Sequence, residues 1–260
     1  MTEAVLARNA PVGPAPPIVQ PVAARVDDEW ISLAASLPPR TGAVAPWQAL
    51  LQNAQLVGLA RLVLRHGGRE FEIRADCPVD DGVDVDSRLR EAQASVRQAG
   101  SGTRPAGEIP EPDTVDLGVV AEEAGWAFVR RSSGRIVVDL GVPDQFCQAV
   151  IEPHGAGCRA RVVLAMAVNP SAIVRSALAV LLLTVTASVR MVRAGATERE
   201  GQTAVFVETG VAAPVSAREL HHALAALAVT CRMAGREAKA LVDDRVAGLY
   251  VTARGWAACP

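Results

Sequence analysis

The stretch CQAVIEPHGAGCRARVVLAMAV, residues 147–168, decides the class of fold. Cys147 to Glu152 and Arg159 to Val168 are two apolar-rich runs, joined by Pro153-His154-Gly155-Ala156-Gly157. Proline lacks a donor and glycine accepts positive φ, so the middle is turn chemistry and the flanks read as the strands of a hairpin. Upstream, Trp126 to Arg131 and Arg135 to Leu140 repeat the signal around Ser132-Ser133-Gly134. Four runs in this order predict an antiparallel meander.

Downstream the period changes. Asn169-Pro170 predicts a helix start, with Asn as N-cap and Pro in the first turn. The helix is expected to reach about Arg193, with Arg190 and Arg193 in its last turn and Gly195 closing it. It is apolar nearly all round, so it should be buried on more than one side. Its core, Ser176 to Val189, is about 14 residues where a membrane span needs about 20. Thr203 to Thr209 then reads as a strand. Ser216-Ala217-Arg218-Glu219 is a capping-box pattern, opening a helix with apolar residues at Leu220, Leu224, Leu227, Cys231, Ala234, Ala238 and Leu241. Spacings of four and three alternate along that stripe, which predicts a seam against the sheet or against another subunit.

The N-terminal half is shorter in signal. Residues 1–45 are Pro-rich and read as a largely disordered arm. Inside it, Asp27, Asp28 and Glu29 precede Trp30 to Leu37, which suggests a short helix docking on its own domain or on a partner. Residues 46–100 form a small α/β unit: a helix over 47–56, a strand over 59–65, a turn at His66-Gly67-Gly68, an alternating strand over 70–75, and a helix from about Asp84. Its stripe is Val85, Leu89, Ala92 and Val96. Residues 101–114 are a Gly/Pro linker, 115–250 the larger domain, which opens with a helix over 116–124, and 251–260 a tail. The class is therefore α+β, an antiparallel sheet packed by helices, in a tandem of one partial and one full unit.

Composition limits the function. Among 260 residues the hydrophobic fraction is 50% and the aromatic fraction 3%, so the core must be Ala, Val and Leu. A formal net charge of −2 gives no electrostatic footprint for nucleic acid. Lys239 is the only lysine, which with the abundance of Ala, Val, Gly and Arg looks like a GC-rich bacterial genome. Five cysteines with no CxxC pair, and no long apolar region near residue 1, lead us to expect reduced thiols and a cytoplasmic location.

Glu70 to Ala99 and Thr203 to Ala234 share an order of strand, Pro-containing loop and amphipathic helix, a weak internal repeat. From about 115 to 245 the order of helix, antiparallel strands, long helix, strand and closing helix resembles the type III secretion chaperone-like fold, including its YbjN relatives. The unit REFEIRADCPVDDGVDVDSRLREAQASV, residues 69–96, looks like the closing half of such a domain. The resemblance implies no catalytic residues. It implies protein binding, by an exposed sheet or groove that receives an extended segment, often in a dimer. The Pro-rich arm and the truncated first unit depart from that pattern.

Few constellations carry chemistry. Cys147, His154 and Cys158 form the best metal candidate, but three ligands at this spacing match no zinc knuckle. The same residues, or Cys231 with His221 or His222, could pair as thiol and imidazole, yet nothing marks an activated thiolate. Acid pairs stand at Asp80-Asp81, Asp84/Asp86 and Asp243-Asp244, and the first two lie in a loop before a helix, where acids complement the helix dipole. No phosphate loop, dinucleotide fingerprint or nucleophile elbow is present.

The expected function is therefore a non-catalytic, chaperone- or adaptor-like module that receives a partner polypeptide on its sheet face or edge. It needs no catalytic residue, cofactor, metal, nucleic acid or membrane span. The expected exposed contacts are Trp30, Trp47 and Trp126. The alternatives are a structural subunit whose 220–241 stripe forms a homodimer or a hetero-oligomer, and a small-ligand binder or enzyme around Cys147, His154 and Cys158.

Overall fold

The computed structural model describes residues 23–26, 30–37, 45–56, 58–65, 70–79, 84–101, 115–131, 134–155 and 157–256. The proline clusters of residues 11–21 and 38–39, the turn at 66–68, Asp80-Asp81, the linker beyond residue 101, Ser132-Ser133 and Cys259 lie outside these residues.

Two antiparallel sheets share one core. The small sheet has the order β1 (Ala23–Val26), β2 (Trp30–Ser36), β4 (Phe71–Pro78), β3 (Ala60–Leu64). Its alternation gives two faces: Ile31, Leu33 and Ala35 with Phe71, Ile73 and Ala75 on one, Ser32, Ala34, Glu72 and Arg74 on the other. α2 (Val85–Ser101) packs against this sheet through Ala92, Val96 and Ala99, all buried. Trp30 to Leu37, expected as a short helix, is instead the strand β2. Its Ile31-Ser32-Leu33-Ala34-Ala35 alternation has period two, and β4 supplies seven partners for it, Trp30↔Pro78 through Ser36↔Glu72. Tertiary pairing overrides the acidic run that suggested a helix start.

The large sheet has the order β5 (Phe128–Arg130), β6 (Ile136–Asp139), β7 (Gln148–His154), β8 (Gly157–Val168), β10 (Gln202–Val211), β9 (Arg193–Arg199). The first four strands are the expected meander. α5 (Ala217–Ala240) lies across β8 and β10. All seven residues of its stripe, Leu220 to Leu241, are buried, so the seam faces this chain's own sheet and is not open to a second subunit. Each buried leucine there contributes about 1.5–3 kcal/mol from removed apolar surface. Ser216 Oγ accepts from the Glu219 N–H at 3.1 Å, the cap the sequence predicts.

α4 (Ala172–Ser188) is the central helix, packed on α1 (Ala45–Asn53), β3, α5 and α6 (Asp244–Ala253). It is apolar all round because it has neighbours all round. Two details differ from expectation. Ser171, not Asn169, is the N-cap, accepting from the Val174 N–H at 3.2 Å. The helix stops at Ser188, and Arg193 to Arg199 is the edge strand β9, pairing Arg193 with Glu208 through Arg199 with Gln202. Gly195 thus sits in a strand and not at a helix end; a Cβ there would meet the Phe206 ring at 2.6 Å.

The two sheets meet where β3 and β9 approach. Arg193 Nη1 donates to Ala60 O at 3.1 Å and to Gly58 O at 3.4 Å. Helices of the two strand-loop-helix units also join, Arg88 Nη2 donating to Glu219 Oε2 at 3.1 Å. α3 (Leu117–Glu123), capped by Asp116, packs on α5.

Candidate functional site: the open edge of the large sheet

β8 is longer than its neighbour on one side. β10 accompanies it from Cys158 to Val168, but β7 only from Gly157 to Arg161. From residue 163 to 168, β8 pairs with no described strand on the β7 side. At about 3.4 Å per residue this is an edge of about 20 Å, the length of an ordinary strand.

The loop before β7 is tied to α5. Asp144, at φ 56°, pairs with Arg236 of α5 at 3.1 Å. Gln145 Oε1 lies over Gly235, where a Cβ would collide with it. These contacts hold the loop on α5, and Phe146 beside them is 76% exposed. Gly235 is the glycine that close approach requires.

A bulge shapes the same segment. Phe206 pairs with Val163 and Val205 with Ala165, so Leu164 is the extra residue. Leu164 and Ala165 both stay buried, and the outer face takes Val163, Met166 and Val168, exposed by 51%, 62% and 74%. Three exposed apolar side chains therefore stand beside unpaired backbone. A depression of about 350 Å³ at this edge is lined by Val163 to Met166 together with Lys239 and Val242. Arg161, Val150, Val137 and Val129 continue the outer face across the meander in one register row.

The inner end of that row is ionic. Glu208 is fully buried, with Arg161 Nε at 2.8 Å on one side and Arg193 Nη2 at 2.7 Å on the other. Burial alone would push its carboxyl up; Arg193 and Arg161 outweigh that and hold it below the usual glutamate range. Arg161 also stacks on Phe206, 3.9 Å from the ring centroid.

The residues singled out from sequence are placed differently. Trp47 is 5% exposed, so this expected contact is a core residue. Trp30 and Trp126 are half-buried and flank the two histidines: Trp30 meets His222 at 5.7 Å and Trp126 meets His221 at 5.9 Å between centroids. His221 Nδ1 is 3.1 Å from Ala124 O. This row of rings ties β2, α5 and the turn after α3 together, and presents no tryptophan as a free anchor.

The candidate metal set is not assembled. Cys158 lies opposite Pro153, six residues along β7 from Cys147, which is about 20 Å at strand rise. Cys147 instead neighbours Cys231 of α5. Burial, then Glu219, pushes the Cys158 thiol up to about 12, and burial pushes Cys231 up as well, so neither offers a thiolate at neutral pH. His154 is lowered, by burial first and then by Arg159, and stays neutral. Among the described residues no three His, Cys, Asp or Glu side chains group as a metal site. Asp243 and Asp84 are helix-start groups, Asp243 Oδ1 accepting from Arg245 N at 2.9 Å and Asp84 Oδ1 from Asp86 N at 3.1 Å.

No protein-family model matches the chain, and no curated protein or solved structure matches it. The reading of function therefore rests on the geometry. No helix among the described residues is long and apolar enough to cross a membrane.

Val163, Met166 and Val168 had a signal in the sequence that spacing alone does not weigh. The run 159–168 outlasts its hairpin partner 147–152 by four residues. A hairpin of unequal arms must leave an edge uncovered or fold another segment onto it.

Proposed function

We propose that this chain is a non-catalytic, chaperone- or adaptor-like module that receives an extended segment of a partner protein alongside β8. The observation that carries the reading is the unpaired edge at residues 163–168 beside three exposed apolar side chains. An added strand would satisfy the free backbone groups, and its alternate side chains would lie on Val163, Met166 and Val168. The resemblance to type III secretion chaperone-like proteins supports the same use of a sheet. Lys239 at the rim favours a segment that carries an acid beside its apolar residues. The described cysteines, all buried and without a disulfide, fit a reducing cytoplasm.

The test is selection of random heptapeptides displayed on phage against the full-length protein. Enrichment of alternating apolar sequences, with binding lost in both Val163→Lys and Met166→Lys, is the expected result. Peptides that bind both variants unchanged, or no selected peptide, would overturn the reading. Light scattering separates the other occupant of such an edge: a dimer that Met166→Lys returns to monomer would mean that β8 pairs with a second copy.

A further inference from the structure

A second cavity, remote from the end of β8, lies on the face of the small sheet turned toward the end of α4. Its volume is about 340 Å³, and Ser32, Arg61, Arg74, Asp76, Ser188 and Arg190 line it. The topology assembles it: β2, β3 and β4 each contribute outward positions of one face, and α4 ends against them.

Two of the three guanidinium groups have a partial structural duty. Arg61 Nη2 donates to Val189 O at 3.4 Å and Arg74 Nη1 to Ala187 O at 2.6 Å, so each covers a carbonyl at the end of α4. Arg74 is also held by Glu72, with Nε 2.8 Å from Oε2, and Arg61 is paired with Asp76. These contacts leave a remainder. Arg61 is 1% exposed; its Nε and Nη1 have no hydrogen-bond partner but are buried, so Arg61 gives the cavity charge and no open donor. Buried donors of this kind are ordinarily satisfied. Arg190 lines the same cavity and pairs with no carboxylate among the described residues; its guanidinium lies 4.8 Å from the centroid of the Trp30 ring. Against three cations stand Glu72 and Asp76, so the site keeps one positive charge in excess.

We propose that this cavity binds a phosphate group. A lone guanidinium stacked on a ring, the Arg74 guanidinium in the same lining and the Ser32 hydroxyl are donors of the kind that grip phosphate oxygens. The room exceeds one free ion, so a phosphate monoester fits as well as inorganic phosphate.

The test is titration of the full-length protein with inorganic phosphate and, separately, with glycerol 3-phosphate at constant ionic strength. Heat and tryptophan fluorescence are the readouts, since Arg190 stacks on Trp30. Saturable binding of either probe with a Kd of about 1 mM or tighter is expected, weakened about tenfold in Arg190→Ala. Arg190 is exposed, so that variant keeps the fold, which circular dichroism checks. Tighter binding of the ester identifies a phosphorylated small molecule, and equal binding identifies the free ion. No saturable signal with either probe, or binding unchanged in Arg190→Ala, would overturn the proposal. Met166→Lys leaves phosphate binding intact, so this site and the edge of β8 fail or stand separately.

Discussion

β3 lies at the rim of the small sheet and β8 outruns β7 in the large one, so each presents backbone groups with no strand alongside. The chain treats the two edges in opposite ways. At β3, Asn53 of α1 takes the place of a strand: its Oδ1 accepts from the Leu62 N–H at 2.7 Å and its Nδ2 donates to Leu62 O at 2.9 Å. Arg193 covers Ala60 O, and Glu208 holds Arg193. At residues 163–168 of β8 no side chain or loop among the described residues does this work. Exposed edges invite pairing, and proteins ordinarily blunt them. A chain that seals one edge with a buried asparagine and a buried ion pair, and leaves another open among apolar side chains, fits the proposed use of the second as a binding edge.

The largest expected effect comes from breaking the sealed edge at its charge. Glu208→Gln leaves Arg193 buried without its carboxylate and should cost about 3–5 kcal/mol in chemical denaturation at neutral pH. The pH dependence has a definite sign. The folded Glu208 titrates below its unfolded value, so its stabilisation is complete above the ordinary glutamate range near about pH 4.3 and is lost as pH falls through the lowered value. The gap between parent and variant should therefore narrow on acidification. Asn53→Ala is the next test: it orphans the N–H and C=O of Leu62 and should cost about 2–4 kcal/mol in the same assay. Smallest of all for stability are Val163→Lys and Met166→Lys, expected within about 0.5 kcal/mol of the parent because both side chains face water. Their effect should appear only in peptide binding.

The contrast also shows which parts of the fold were legible. The stripe of α5 and the meander were readable because burial on one face writes a period into the sequence, and Leu220 to Leu241 and Ile136 to Val162 keep it. β2 was written in the same code, with Ile31, Leu33 and Ala35 buried, but Asp27, Asp28 and Glu29 mimic a helix start. The end of α4 was hidden because Met191 and Val192 continue its apolar run into a buried turn, which composition cannot separate from helix. The expectation of an exposed Trp47 missed for a related reason: Trp47 is large and apolar, and a core short of aromatics takes it in. The open edge depends on which strand ends first in three dimensions, and only the unequal arms of the hairpin hint at it.

Amide hydrogen exchange along β8, with and without a heptapeptide selected on the full-length protein, tests the central claim most directly. In the free protein, alternate amides of residues 163–168 should exchange fast while residues 158–161, paired on both sides, stay protected. The peptide should slow the fast set and leave Leu62 unchanged. Uniform protection of residues 163–168 in the free protein, or a bound peptide that slows exchange elsewhere and not there, would contradict the account.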